Sequence, residues 1–415
     1  MPRPIRVLVV NDYGELGGAE VVANQSVEGL RDTGVEASLF TGDGAGVRRS
    51  PVGYLDSRPA RRLLRAALEK HRPNVVHLHN FYHLLSPGIL ATLARYKREG
   101  RGPIAVVATA HDAHLVCPNP SLLRYTRGHP EVIDTNRHPL VSNTELFTRV
   151  WDRRGPLVSA ARSLQHLVNY RVLARHRTLD AIFAPSRWYA NLLARVGPEV
   201  RFVPNPVDTG PRAAPPPADP VSADTRNDRF TLLFVGRVEP DKGLALFIER
   251  ASRTGFRLDV VGTGSDLERC KRIAVEQGVE AVFYGRLSHT ETKHRIAQTD
   301  ALVLPSVWPE NAPLVLFEAV AAGTPVIAGN LGGIPEIIEE FRAGWCFDPT
   351  DTESVCSAID AARREHDRGP DASQQERIAL TAAETSRLLA DRSTKAHAIT
   401  LVERYNEILD AAAPD

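Results

Sequence analysis

ALVLPSVWPENAPLVLFEAVAAGTPVIA, residues 301–328, decides the fold. Ala301–Pro305 is a short apolar run closed by a proline, and Ser306–Pro313 is a polar loop. Leu314–Ala322 then has the length and apolar pattern of a helix, and Pro325–Ala328 returns to a short apolar run. Strand, loop, helix and strand in that order form the repeating unit of a parallel sheet, because parallel strands can be joined only by a long crossover. The loop carries Glu310, and Glu318 lies inside the helix among Leu316, Phe317 and Ala319. A carboxylate in such apolar company needs a partner. The helix start at Pro313 or Leu314 exposes backbone amides that suit phosphate oxygens, and ribose hydroxyls would suit Glu318.

The same alternation extends upstream. Phe230–Val235, Arg257–Val261 and Val282–Tyr284 read as strands, with helical patterns at Asp266–Gln277 and Glu291–Gln298. In the first half, Ile5–Val10, Val75–His79, Ile104–Ala110, Ala181–Pro185 and Arg201–Pro204 read as strands. Ala19–Arg31, Ala60–His71 and Pro87–Arg98 carry apolar residues at the three- and four-residue spacing of helices. Pro206–Arg229 is proline-rich and has no apolar period. The chain is therefore expected to be α/β, with two Rossmann-like doubly wound domains at 1–205 and 230–390 and a linker at 206–229. A closing helix within 391–415, patterned at Thr394–Leu409, is open to packing back on the first domain. Doubly wound sheets bind ligands beyond the carboxyl ends of their strands, so a cleft between the two domains is the expected site.

A chain of 415 residues, 43% hydrophobic and 24% charged, is long enough for two cores. No run approaches the roughly 20 apolar residues that span a bilayer, and no secretory segment opens the chain. Cys117, Cys270, Cys346 and Cys356 show no paired spacing, so a cytoplasmic protein with reduced thiols is expected. The net charge of +1 conceals an asymmetry: residues 1–205 hold 28 Lys and Arg against 17 Asp and Glu, and the remainder is correspondingly acidic. The first half is expected to meet an anionic partner, a phospholipid surface or a phosphorylated acceptor, and no nucleic acid. Arg149, Arg153, Arg154, Arg162, Arg171, Arg175 and Arg177 have only Asp152 among them and are interleaved with Val158, Leu164, Leu167, Val168, Val172 and Leu173. Segment 149–177 thus suits peripheral docking on an anionic inner membrane face; the other reading is a solvated helical face over the core.

The polar loops fall just after the strands. Asn11–Glu20 contains Gly17 and Gly18 immediately before a helix, where backbone amides could approach an anion, or where the glycines could simply form a tight turn. Thr109-Ala110-His111-Asp112 ends another strand; His111 is read as a group that hydrogen-bonds a ligand, against a capped strand end oriented by Asp112. His77 and His79 alternate on one strand face and could with His111 surround a transition metal, but no carboxylate or cysteine completes the set, so ligand hydrogen bonding or packing is preferred. In the second half Gly236-Arg237-Val238-Glu239-Pro240-Asp241-Lys242-Gly243 puts two cations near one strand end. A departing diphosphate would reward that clustering, whereas Glu239 and Asp241 could instead neutralise it. Gly262 and Gly264 form a second glycine turn.

Taken together these pieces resemble the family 4 glycosyltransferases of the GT-B fold, over nearly the whole chain. The resemblance rests on Gly17-Gly18-Ala19-Glu20, Val76-His77-Leu78-His79-Asn80, Thr109-x-His111-Asp112, Phe234-Val235-Gly236-Arg237 with Asp241-Lys242-Gly243, and Glu310 followed by seven residues and Glu318. It implies a retaining transfer of a hexose-type sugar from a nucleotide diphosphate donor to a glycan, lipid-linked or small-molecule acceptor. Arg237 and Lys242 would neutralise the diphosphate, and the 311–315 segment (Asn311, Ala312, Pro313, Leu314, Val315) would cradle it. Glu318 would hold the ribose, and Glu310 and His111 would grip the sugar. Gly17, Gly18, Gly262 and Gly264 would also line the donor, Arg286 and Leu287 would face its base, and His77, His79, Asn80 and Asp112 would face the acceptor. Gly332-Gly333-Ile334-Pro335-Glu336 resembles a family turn, with a structural role equally open. No Asp-x-Asp occurs, so no metal or other cofactor is expected.

Rival readings are a sugar-nucleotide epimerase or glycoside phosphorylase on the same fold, and a non-catalytic nucleotide-sugar-binding protein. An NAD-dependent dehydrogenase fits less well, because Gly-x-Gly-x-x-Gly is missing from the first loop.

Overall fold

The computed structural model describes residues 4–15, 17–99, 102–127, 129–133, 135, 141–208, 229–368 and 382–412. Most of the expected linker, 209–228, and Leu16 in the first glycine loop lie outside the described residues. The chain divides into two compact units, one made of Met1–Pro206 with Arg392–Asp415 and the other of Val207–Asp391.

The first unit holds a six-stranded parallel sheet of β1 (Arg6–Asn11), β2 (Glu36–Thr41), β3 (Val75–Leu78), β4 (Ala105–Thr109), β7 (Ala181–Ala184) and β8 (Glu199–Phe202). Their order is β2-β1-β3-β4-β7-β8, so the chain first winds one way from β1 and then reverses between β1 and β3. The central strands are apolar on both faces because both are covered. Leu8, Val10, Val76, Leu78 and Val106 pack with Leu64, Leu68, Leu90 and Leu93 of helices Arg58–His71 and Ile89–Arg98. On the opposite face Val7, Val9, Val75, Val107 and Phe183 pack with Val27 and Leu30 of helix Gly18–Asp32 and with Leu401 and Tyr405 of helix Thr394–Ala411. Those two helices cross so closely that a Cβ on Gly29 would stand 2.6 Å from the carbonyl oxygen of Thr394.

The second unit repeats the architecture with β9 (Thr231–Val235), β10 (Arg257–Val261), β11 (Glu280–Gly285), β12 (Ala301–Leu304), β13 (Val326–Gly329) and β14 (Gly344–Phe347), in the order β11-β10-β9-β12-β13-β14. Here the winding reverses between β9 and β12, and helix Leu314–Ala322 follows β12 as the opening stretch predicts.

Two doubly wound α/β units therefore agree with the expected fold class, with strands missed at the margins. β2 and β14 are edge strands, partly exposed along their length, and they lack the apolar run or clean alternation that marks a strand. Between β4 and β7 lies an antiparallel hairpin of β5 (Leu123–Thr126) and β6 (His129–Val132), which no strand expected from the sequence covers.

Candidate functional site

At the reversal point of the second sheet, the loops after β9 and β12 lie against each other: Val307 N donates to the Asp241 carbonyl at 3.0 Å. This brings the Lys242 ammonium to 2.9 Å from Glu310 Oε1, with the Trp308 ring centre 5.2 Å from the Lys242 nitrogen. Ser306 Oγ donates to the same carboxylate oxygen. The alternative neutralisation by Glu239 is not what forms. Glu239 instead accepts from Ser265 N at 3.2 Å and Ser265 Oγ at 2.6 Å, and Arg237 is exposed and makes no ion pair among the described residues. The loop after β9 thus carries one exposed cation without an ion pair among the described residues and a second cation whose partner is a sequence-predicted site residue.

Helix Leu314–Ala322 begins without a side-chain cap and without an acidic residue in its first turn. Its N-terminal partial positive charge is therefore not neutralised from within the helix. Glu318 sits one turn in, with a side chain only 21% exposed, and His289 Nδ1 lies 3.9 Å from its Oε1. Burial raises its pKa, and His289 and Lys293 only partly oppose that. Gly262 and Gly264 are explained by backbone packing: Cβ atoms there would stand 1.8 Å from the Gly236 carbonyl oxygen and 2.1 Å from that of Val238. Gly262 N also donates to the Gly285 carbonyl at 2.7 Å, which sets the 262–264 turn beside exposed Arg286 and half-buried Leu287. Gly333 N donates to the Glu310 carbonyl at 2.8 Å, so the Gly332–Gly333 turn buttresses the loop carrying Asn311, Ala312 and Pro313.

In the first unit, residues following β1, β3 and β4 form a second cluster. Asn11 accepts from Asn80 N at 2.8 Å and donates to buried Glu20 at 3.2 Å, in the first turn of the helix that Gly17 and Gly18 open. Asn80 Oδ1 is buried without a partner among the described residues. His79 Nδ1 lies 2.8 Å from His111 Nε2. Burial lowers the pKa of His111 to about 4 and that of His79 well below its ordinary value, so both are neutral at pH 7. Asp112 accepts from His114 N and pairs with its Nδ1 at 3.1 Å; burial alone would raise its pKa, but His114 outweighs that and lowers it.

Two expectations need correction. His77 is fully buried and both its nitrogens are taken, Nδ1 by Tyr405 Oη at 2.6 Å and Nε2 by Thr109 Oγ1 at 2.7 Å. It is a core residue, which removes it from the acceptor-facing set and from any histidine metal site; among the described residues no group of three or more His, Cys, Asp or Glu could hold a metal ion. Segment 149–177 is not simply a free basic face. Arg162 reaches Asp152 at 2.7 Å, Arg175 reaches Asp56 at 2.9 Å, and Arg171 donates to the Val141 carbonyl at 2.6 Å. Its two faces are also mixed: Ser159, Ser163, Gln165, His166 and Asn169 are buried with Trp151 and Tyr170, while Leu157, Leu164, Val172 and Leu173 are exposed. No described helix is long and apolar enough to cross a membrane.

Sequence reading passed over Ser306, Trp308 and His289, which touch predicted residues, and Asp12. The Asp12 carboxylate accepts from the amides of His83, Leu84 and Leu85 at 2.7–3.0 Å and so fixes the loop after β3. A carboxylate directly after an apolar strand was the available signal.

Residues 16–210 match the model of Glycosyltransferase Family 4, and residues 218–377 match Glycosyl transferases group 1. The D-inositol 3-phosphate glycosyltransferase of Mycobacteroides abscessus is 26% identical over 396 residues, covering 86% of this chain and 81% of that one. Glycogen synthase of Mycobacterium tuberculosis is 34% identical over 137 residues, 31% of this chain and 32% of its own length. A GDP-mannose-dependent alpha-(1-6)-phosphatidylinositol monomannoside mannosyltransferase of the same species is 30% identical over 204 residues, covering 45% of this chain and 53% of that one. This chain thus spans about a third of the one and about half of the other. Among solved structures, sucrose-phosphate synthase from Thermosynechococcus elongatus superposes with a TM-score of 0.68 at 17% identity, covering 98% of this chain and 100% of that one. Anabaena HepE in complex with UDP gives 0.62 at 15%, covering 97% and 100%. At those identities the likeness is one of fold, and it is the two matched regions together that carry the assignment: the chain belongs to the family 4, group 1 glycosyltransferases.

Proposed function

We propose that this chain transfers a hexose-type sugar from a nucleoside diphosphate to an acceptor hydroxyl, with retention of configuration and without a metal. The observation that carries the reading is the reversal point of the second sheet, where Lys242 and Glu310 form an ion pair in the loops that lead from β9 and into an uncapped helix, with Arg237 exposed earlier in the first of those loops and without an ion pair among the described residues. In the proposed reaction the bond from the anomeric carbon to the diphosphate oxygen breaks, negative charge grows on the diphosphate, and the acceptor oxygen bonds to the same sugar face while its proton passes to the leaving diphosphate. Arg237, Lys242 and the amides of Leu314 and Val315 stabilise that charge. Lys242 leaves Glu310 for the diphosphate, which frees the carboxylate for sugar hydroxyls, and Glu318 holds the ribose. Arg286 and Leu287 serve the base, and Asn80 and Asp112 serve the acceptor side. HepE with UDP and the GDP-mannose-dependent relative support a nucleotide-sugar donor without choosing its base.

The test is a thermal-shift screen of uridine, guanosine, thymidine and adenosine diphosphates. One of them at about 100 times its dissociation constant should stabilise the protein by about 2.7 kcal/mol, and Glu318→Ala should abolish that shift. If none of the four raises the melting point, the donor reading fails. Donor incubated without acceptor should stay intact, whereas conversion would favour an epimerase.

A cytoplasmic protein docking on the inner membrane face remains part of this reading, supported by the outward Leu157, Leu164, Val172 and Leu173 and by exposed Arg177 in the same segment. Flotation should show vesicles containing phosphatidylglycerol retaining the protein at low salt and releasing a Leu157→Ser/Val172→Ser variant; equal retention by neutral vesicles would reject an anionic surface.

A further inference from the structure

The first unit places three histidine rings in a row, His77 and His79 buried and His111 partly buried, and His111 is the one that the family resemblance implies would grip the sugar. His77 is anchored through both nitrogens, and its ring centre lies 4.6 Å from that of His79. His79 in turn meets His111 edge to edge, with ring centres 5.1 Å apart and planes 23° apart, and the pair shares one hydrogen bond of 2.8 Å between His79 Nδ1 and His111 Nε2.

A hydrogen bond between two neutral imidazoles needs one proton, which sits either on His79 Nδ1 or on His111 Nε2. The second nitrogen of His79 decides between them, because Nε2 is buried and has no partner among the described residues. If His111 donated, neutral His79 would have to carry its only proton on Nε2, burying an N–H with no acceptor. If His79 donates, Nε2 is left as a bare lone pair. A buried donor without an acceptor is the rarer and costlier defect. An imidazolium at His79 is ruled out by the burial that lowers its pKa. With Nε2 accepting, neutral His111 must hold its proton on Nδ1, and that atom makes no hydrogen bond among the described residues although His111 is only partly buried.

We propose that His79 is a positioning residue: it donates from Nδ1 to His111 Nε2, fixes His111 as the Nδ1–H tautomer, and so presents that N–H to the transferred sugar. The sugar's part in this rests on the function proposed above, but the tautomer does not. It also replaces the acceptor-facing role first expected of His79, whose ring is 1% exposed.

Imidazole nitrogen NMR on the full chain with labelled histidine tests it, the His111 signals being those lost in His111→Asn. The native protein should show protonated Nδ1 and bare Nε2 at His111. His79→Ala should release His111 to a mixture of tautomers, while His79→Asn, whose amide nitrogen takes the place of Nδ1, should keep the native one. Turnover should follow, falling on the order of 10- to 100-fold in His79→Ala, as second-layer hydrogen-bond losses do, and recovering in His79→Asn, with the nucleoside diphosphate thermal shift unchanged in both. A proton on His111 Nε2 in the native protein, which needs no variant to fold, would overturn the proposal, as would an unaltered tautomer in His79→Ala. A switched tautomer with unaltered turnover would uphold the assignment at His79 and instead remove His111 from the proposed transfer.

Discussion

Lys242→Ala should lower kcat about 10²- to 10³-fold, the usual effect of deleting one preorganised group that meets charge developing in a transition state. The size follows from position. Lys242 is half-buried at the reversal point of the second sheet, held over the Trp308 ring and paired with a carboxylate that is itself 7% exposed. Its charge is thus partly shielded from water and already oriented, so little reorganisation opposes its action. Removing it leaves Glu310 with Ser306 alone, and an unpaired carboxylate there would destabilise the loop. Lys242→Ala/Glu310→Gln separates the two effects, since it removes the stranded charge and should regain stability without regaining turnover. Turnover within threefold of the native rate in a folded Lys242→Ala protein would mean that the cation does not meet the leaving group.

Acid should unfold the first unit well before the second. Burial lowers the pKa values of His77, His83 and His166 to about 3 and those of His111 and His397 to about 4, and all five lie in the first unit. Their unfolded pKa is about 6.5, so below that pH the unfolded chain binds protons that the folded unit refuses. The stability from these neutral rings is whole above about pH 6.5 and is lost as pH falls. At pH 5 each accounts for a loss of about 2 kcal/mol. Five such groups, even if far from additive, compare with the roughly 5–15 kcal/mol that holds a domain folded. Asp12 acts in the opposite direction, because burial raises its pKa against three amide hydrogen bonds, but it is one group against five. Hydrogen-exchange protection factors for β1 and β12, measured at pH 7.5 and pH 5, report the two units separately. β1 should lose protection and β12 should keep most of it; equal loss would contradict the role of the buried histidines.

The parts of this molecule legible in its sequence are those written locally. Arg257–Val261 and Leu314–Ala322 agree to the residue because an apolar run or helical period bounded by turn residues needs no distant partner to be recognised. Loops bearing Arg237, Lys242, Glu310 and His111 were found because charge and glycine follow directly on such runs. What could not be read were pairings made by topology. Lys242 and Glu310 are 68 residues apart, so the sequence could not choose Glu310 over neighbouring Glu239 or Asp241 as the partner of Lys242. His77 and His79 share a strand face and looked equivalent, but Tyr405, 328 residues later, covers His77 and leaves His79 beside His111. Segment 149–177 was misjudged for a related reason. Which of its side chains face the core depends on distant carbonyls, those of Tyr54, Leu55 and Tyr82, which accept from Gln165 and Asn169 and hold them inward.

The central claim is that the leaving diphosphate is held by the second unit at the end of β9 and β12. A crystal structure of the full chain with the nucleoside diphosphate identified by thermal shift measures this directly. Diphosphate oxygens within hydrogen-bond distance of Lys242 Nζ and the Leu314 or Val315 amides, with ribose on Glu318, are predicted. A diphosphate bound elsewhere, with Lys242 still paired to Glu310, would contradict it.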